Sequence, residues 1–392
     1  MSCYLDVICK PLRQSFHSQT FALSFEDPSP YVTGDGSTYL AYYVPNFKGT
    51  EMAVQRRSIW DTRFPATAVH CRLDVPELKL GGIWKDVRSD GCNRGLGLGQ
   101  VMRSSTTITT LILDNNRLRP EAVTEIGEAL QVNATLKTLK MVGNNLGTHA
   151  QPLVSALLIN HTLVSLNLSF NSLREEEGEN IALMLNGNRC LAHLILAGNS
   201  LGNRGAEAIA GALTANSTLT ELDLSRNTIE EKGGIELGIS LLNNSSLTVL
   251  HIGGNDFKEG TARALSHGLR INSTVEILSL RDVFFDPDAD QLLISALAIN
   301  TRLREVVVPH WEAEDATCDA LLDALASNAS LTSLGFGSND RFADRRTKAK
   351  QVVERLATNA WNERLRGNSL FYLLFEHLEC ELAEPSSKVQ RT

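Results

Sequence analysis

The chain lacks any pair of cysteines at metal or redox spacing. Its seven cysteines (Cys3, Cys9, Cys71, Cys92, Cys190, Cys318 and Cys380) are odd in number, scattered, and include no C-x-x-C. That argues against a zinc-binding or thioredoxin-type centre and fits reduced thiols in an intracellular compartment. No apolar run reaches the roughly 18 residues that cross a bilayer. The stretch Tyr4–Cys9 is too short for the apolar part of a secretory signal and contains Asp6. The expected location is therefore cytoplasmic, with no membrane partner. Basic runs are also scarce. With a net charge of −8 the chain is a poor fit to a phosphate backbone, and no nucleic acid is expected. The densest basic stretch, Arg341–Lys350, reads as the solvated face of a helix. Gly95-Leu-Gly97-Leu-Gly99 matches neither G-x-G-x-x-G nor G-x-x-x-x-G-K-[ST] and reads as a flexible join. No cofactor and no metal are expected.

What the chain has is leucine at fixed spacing. Leu136-Lys-Thr-Leu139-Lys-Met141-Val-Gly-Asn144 and Leu219-Thr-Glu-Leu222-Asp-Leu224-Ser-Arg-Asn227 both read L-x-x-L-x-L-x-x-N. Nine copies begin at Ile108, Leu136, Leu163, Leu191, Leu219, Leu247, Val275, Leu303 and Leu331, at intervals of 27 or 28 residues. The L-x-L alternation has period two and predicts a short strand with its leucines on one side. Stretches such as Gly205–Leu213 place small and aliphatic residues three and four apart, one buried helix face. Strand followed by helix, repeated, gives a parallel sheet. No copy can bury its apolar face alone, so the copies must stack.

Two asparagine series run in phase. The first closes each motif at 116, 144, 171, 199, 227, 255 and 339 and predicts side-chain amides that satisfy the backbone of the turn. Val283 and Trp311 interrupt it. The second sits three residues before each strand motif from the second copy on, from Asn133 to Asn328, and reads as a helix stop in the left-handed conformation. Six members also spell N-x-S/T. N-glycosylation is one reading; a repeat-phased turn is the one favoured.

This 28-residue period with a full helix resembles the ribonuclease-inhibitor-like class of leucine-rich repeats. The class includes ribonuclease inhibitors, Ran GTPase-activating proteins and the repeat domains of nucleotide-binding immune receptors. The resemblance covers about residues 105–360. It implies an α/β fold, a right-handed solenoid or horseshoe with a parallel concave sheet and convex helices. It does not settle function, because one scaffold hosts many jobs. Residues 1–104 carry no repeat and read as an N-terminal cap or a separate module, with a strand at Tyr39–Val44. Residues 105–345 form the repeat domain. Residues 346–392 read as a helical cap, with helices at Thr347–Leu356 and Leu370–Leu378, and a loose tail.

Residues between the motif leucines point away from the core, so equal positions line up in rows about 4.8 Å apart. One row is Ile112, Lys140, Asn167, Ile195, Asp223, His251, Ser279, Val307 and Gly335. Asp223, His251 and Ser279 stand in the order of a nucleophile relay, but no oxyanion hole accompanies them; a polar contact cluster is the favoured reading, and no enzyme is expected. Copies seven and eight break the pattern at Arg281–Asp288 and Val306–Trp311. Phe284, Phe285 and Trp311 there read either as contact residues or as filler for the missing asparagine turns. The expected contact patch is Phe170, Ile195, Asp223, Arg226, His251, Arg281, His310 and Trp311, on a scaffold that binds a protein partner, with the oligomeric state open. The alternatives are a GTPase-activating protein of the Ran type, a subunit of a cytoskeletal or ciliary assembly, and a secreted effector that grips a host protein. The Ran-type proteins have a strongly acidic tail, whereas this chain ends with Lys388 and Arg391.

Overall fold

The structure, a computed structural model, describes residues 76–82, 97–308, 315–335 and 347–366, together with four short upstream strands. Those strands are β1 (Phe21–Ala22), β2 (Ser29–Val32), β3 (Thr38–Tyr42) and β4 (Val54–Gln55). Strands β2, β3 and β4 pair antiparallel as a small sheet of their own, so the strand expected at Tyr39–Val44 is present as β3. From β5 (Glu77–Lys79) onward, strand and helix alternate: α1 (Leu98–Ser104), β6 (Thr110–Ile112), α2 (Pro120–Val132), β7 (Thr138–Lys140), α3 (Gln151–Ala156), β8 (Ser165–Asn167), α4 (Glu175–Gly187) and β9 (His193–Ile195). The series continues with α5 (Gly202–Leu213), β10 (Glu221–Asp223), α6 (Glu231–Ser240), β11 (Val249–His251), α7 (Glu259–Ile271), β12 (Ile277–Ser279), α8 (Pro287–Ile299), β13 (Glu305–Val307), α9 (Asp315–Ser327), β14 (Ser333–Gly335) and α10 (Thr347–Arg366).

The strands form one sheet in chain order, β1 and then β5 through β14, and every pairing is parallel. The motif leucines are the reason. Leu136, Leu139 and Met141 are at most 1% exposed, as are their equivalents Leu219, Leu222 and Leu224. Each buried leucine contributes about 1.5–3 kcal/mol. The helices cover this row from the other side with Ile126, Leu153, Ile181, Ile209, Leu237 and Leu265, all nearly inaccessible. Glycine lets two of the helices come close: a Cβ on Gly178 of α4 would lie 2.6 Å from the Gly205 Cα of α5.

The sheet begins before the first copy read from the sequence. Leu78 pairs in register with Leu111, and Leu78 and Leu80 are both buried. The stretch Gly97–Gly99 is no flexible join. Gly97 donates its N–H to the Glu125 carboxylate at 2.8 Å, and Gly99, in the first turn of α1, packs where a Cβ would meet the Glu125 carbonyl oxygen at 2.5 Å. At the far end, the helix expected at Thr347–Leu356 runs on to Arg366. Its Lys348 pairs with Asp319 of α9 at 2.6 Å. The segment Leu370–Leu378 lies outside the described residues.

Both asparagine series are built as hydrogen-bonded ladders. In the first, Asn144 Nδ2 donates to Leu113 O and Met141 O, each at 2.9 Å, while its Oδ1 accepts the Asn116 N–H at 3.0 Å. Asn171 Oδ1 accepts the Asn144 N–H, and Asn199 Oδ1 the Asn171 N–H. At the break, Val283 is fully buried and its N–H donates to Leu280 O at 3.2 Å. It has no oxygen to offer the Asn255 N–H, the role that Asn255 itself performs for Asn227.

The second series corrects the expectation of a left-handed stop. Asn133, Asn188, Asn272 and Asn300 have extended backbones, with φ between −63° and −73°. The side chain is what the position requires. Asn160 Nδ2 reaches back to Leu130 O at 2.6 Å while its Oδ1 takes the Leu163 N–H at 2.8 Å. Asn359 in α10 extends the ladder, donating to Asn328 O and Leu331 O at 3.0 and 2.9 Å. Asn133, Asn160, Asn216, Asn244, Asn272 and Asn328 are all buried, so in the folded chain these N-x-S/T sequences are turns without room for a sugar.

Candidate functional site

The open face of the sheet carries the row expected from the sequence. Asn167, Ile195, Asp223, His251 and Ser279 are Cα partners in successive strands. They do not form a relay. Asp223 Oδ1 accepts the Ser225 N–H at 2.8 Å, Ser279 is only 8% exposed, and among the described residues no hydrogen bond joins His251 to Asp223 or to Ser279. Ile195, Asp223 and His251 are half-buried, each offering one flank to solvent.

A second row on the same face was missed in the sequence. It lies two residues upstream on each strand, where period two returns the side chain to the same side. His193 and Glu221 are Cα partners in this row, and His193 Nδ1 lies 2.8 Å from Glu221 Oε2. Glu221 and Asp223 thus share one face of β10. The signal was available, since strict alternation puts residue i−2 beside residue i.

The turn leaving the strands adds a rim. One position before the turn asparagine, or before Val283 where it is replaced, Asn115, Gly143, Phe170, Gly198, Arg226, Gly254 and Asp282 all have φ between 55° and 69°. Glycine tolerates this region at little cost, whereas a bulky L-residue there is an outlier. Glycine alternates with larger residues from copy to copy, and Asn115, Phe170 and Arg226 each lie across the glycine of the next copy. A Cβ on Gly198 would stand 2.4 Å from the Phe170 ring, and one on Gly254 would stand 2.7 Å from Arg226 Cγ. Phe170 is 55% exposed. Arg226 reaches over Gly254 to Asp282, Nη2 to Oδ2, at 3.0 Å. Arg281 is exposed, and its carbonyl accepts the Gly254 N–H at 2.6 Å.

The structure therefore gathers Phe170, Ile195, Asp223, Arg226, His251 and Arg281 along one face and its rim. His310 and Trp311 lie outside the described residues. Of the aromatic pair in copy seven, Phe285 packs against the core and Phe284 is 67% exposed, so filling and display are divided between them. Among the described residues no cluster of His, Cys, Asp or Glu is arranged to hold a metal, and no helix is long and apolar enough to cross a membrane. Cys190 is half-buried and Cys318 buried, and neither is in a disulfide.

A family model described as "Leucine Rich repeat" matches residues 187–210 and 215–238. No curated protein matches the chain in sequence. Similar solved structures include the leucine-rich-repeat-containing protein LegL7 from Legionella pneumophila, 17% identical, covering 72% of this chain and 90% of that one with a TM-score of 0.42. The tropomodulin C-terminal domain of Caenorhabditis elegans is 16% identical and covers 41% of this chain and 96% of that one, TM-score 0.35. Leiomodin-1 Actin-Binding Site 2 is 18% identical and covers 55% and 92%, TM-score 0.27. The matched copies, the 28-residue register of parallel strands and the helix in each repeat give this chain the fold of a leucine-rich-repeat solenoid of the ribonuclease-inhibitor-like kind.

Proposed function

We propose that this chain is a protein-interaction scaffold that grips a protein partner on the open face of its parallel sheet, with Phe170, Ile195, Asp223, Arg226, His251 and Arg281 among the contacts. One observation carries the reading. The positions that build the solenoid repeat the same chemistry, leucine in the core and asparagine in the turns. The in-register position between the two strand leucines is Ile112, Lys140, Asn167, Ile195, Asp223, His251, Ser279, Val307 and Gly335, nine sites with eight residue types. Packing places little demand on this row, so its variety is free to encode recognition. Aromatic, arginine and isolated aliphatic side chains beside charged ones are the composition of contact surfaces.

The test is affinity capture with chemical cross-linking in the native host. The wild-type chain and a control altered on the exposed helix face, Glu236→Lys, should recover the same cross-linked partner. The double variant Ile195→Arg with Asp223→Lys should lose it while keeping the wild-type circular dichroism spectrum. Recovery of the partner by the double variant, cross-linked as in the wild type, would remove the open face from the account.

A further inference from the structure

Resting on that reading, we infer that the open face at the third to fifth repeats takes a basic peptide segment of the partner, seating a lysine or arginine against Glu221 and Asp223 and a neighbouring apolar side chain on Phe170 and Ile195. The argument is one of charge and surface complementarity. Glu221 and Asp223 project from the same face of β10. Their in-register neighbours are His193 and Val249 for the first, and Ile195 and His251 for the second; neither carboxylate has lysine or arginine beside it in its row. Arg226, three residues after Asp223, is drawn across Gly254 to Asp282. Lys140 stands three strands away from Asp223, roughly 14 Å at ordinary strand spacing and beyond the screening length of about 8 Å in physiological salt. Arg281 lies two strands on, its backbone in the next turn. The hydrogen bonds of the two carboxylates, to His193 and to the Ser225 N–H, each engage one oxygen, and among the described residues no hydrogen bond reaches the other.

The apolar half lies alongside. Phe170 has one ring face against Gly198 and is 55% exposed, and Ile195 occupies the strand between Phe170 and Asp223. From the third repeat to the fifth is two strand spacings, roughly 10 Å. Side chains two and four residues apart share one face of an extended segment, roughly 7 and 13 Å apart, and bracket that span. The surface thus fits a cation and an apolar group two or four residues apart.

The experiment uses the purified full chain and an immobilised library of nonapeptides with basic, acidic, polar or apolar residues at each position. The expected result is selection of peptides carrying lysine or arginine two or four positions from an aliphatic or aromatic residue. The isosteric double variant Glu221→Gln with Asp223→Asn should weaken those peptides by about tenfold or more, as loss of a charge-assisted contact does. Phe170→Ala should remove the apolar preference while leaving the basic one. Selection of acidic or uncharged peptides, abolished by Ile195→Arg with Asp223→Lys, overturns the basic assignment and leaves the open-face reading standing. Selection untouched by all these changes, or no selection at all, overturns the basic assignment; the first of these also removes the open face itself.

Discussion

The guanidinium of Arg226 and the carboxylate of Asp282 meet at 3.0 Å although a whole repeat lies between them. The contact exists because the intervening position is Gly254, over whose bare Cα the arginine stem passes. Substituting Gly254 by alanine should therefore cost more than removing the ion pair. The methyl would meet Arg226 Cγ at 2.7 Å and would sit at φ +67°, a conformation that costs an L-residue about 1–2 kcal/mol. Arg226→Ala removes an exposed pair worth about 0–1 kcal/mol. Urea denaturation of both variants tests the order; an equal or larger loss from Arg226→Ala would contradict it.

The turn ladder predicts a larger penalty. Asn171→Ala takes the acceptor from the buried Asn144 N–H and a donor from Met141 O. The Asn144 N–H is left without a partner, at about 1–3 kcal/mol, and Met141 O keeps only its bond from Asn144 Nδ2, at the further loss of about one ordinary hydrogen bond, so the variant should lose roughly 2–4 kcal/mol in equilibrium unfolding. A loss below about 1 kcal/mol would show that water replaces the amide.

Glycan occupancy separates the two readings of the N-x-S/T series. When the chain is forced through a secretory host, the monodisperse folded fraction should carry no sugar at Asn133, Asn160, Asn216, Asn244, Asn272 or Asn328. Their Nδ2 atoms already donate to backbone carbonyls of earlier repeats, as from Asn216 to Leu185 O at 2.8 Å. Glycopeptide mass spectrometry of that fraction provides the check, and an occupied site in a natively folded chain would refute it.

The eighth repeat has valine where others have leucine, at Val306 and Val308, and both line a void of about 10 Å³ with Leu278, Leu280 and Leu297. Val306→Leu should fill it and raise stability by roughly 0.5–1 kcal/mol. The midpoint of thermal unfolding reads the effect; a fall would mean that the added methylene strains its neighbours.

Much of this architecture was legible from spacing alone, because strand leucines and turn asparagines recur without a gap large enough to hide the period. Four features were not. The unit around Leu78 escaped notice because 33 residues, not 28, separate it from Leu111 and glycines follow its strand in place of the usual turn. The second asparagine series was assigned to backbone conformation, when its purpose is a side chain long enough to span neighbouring repeats. The pairing of His193 with Glu221 was overlooked because only the row between the two strand leucines was aligned, and not the positions two residues upstream. The alternation of glycine with Asn115, Phe170 and Arg226 has a period of two repeats, so comparison of single copies made the rim look irregular.

The close approach of Gly178 and Gly205 reaches further than the two helices it joins. Backbone bonds fix adjacent strands about 4.8 Å apart, while packed helices ordinarily stand 8–10 Å apart, and the mismatch between inner and outer circumference bends the molecule. Shortening the outer circumference at α4 and α5 relaxes the arc beneath Phe170 and Ile195. The radius of the open face is thus set from the back of the molecule, at the seam between two helices.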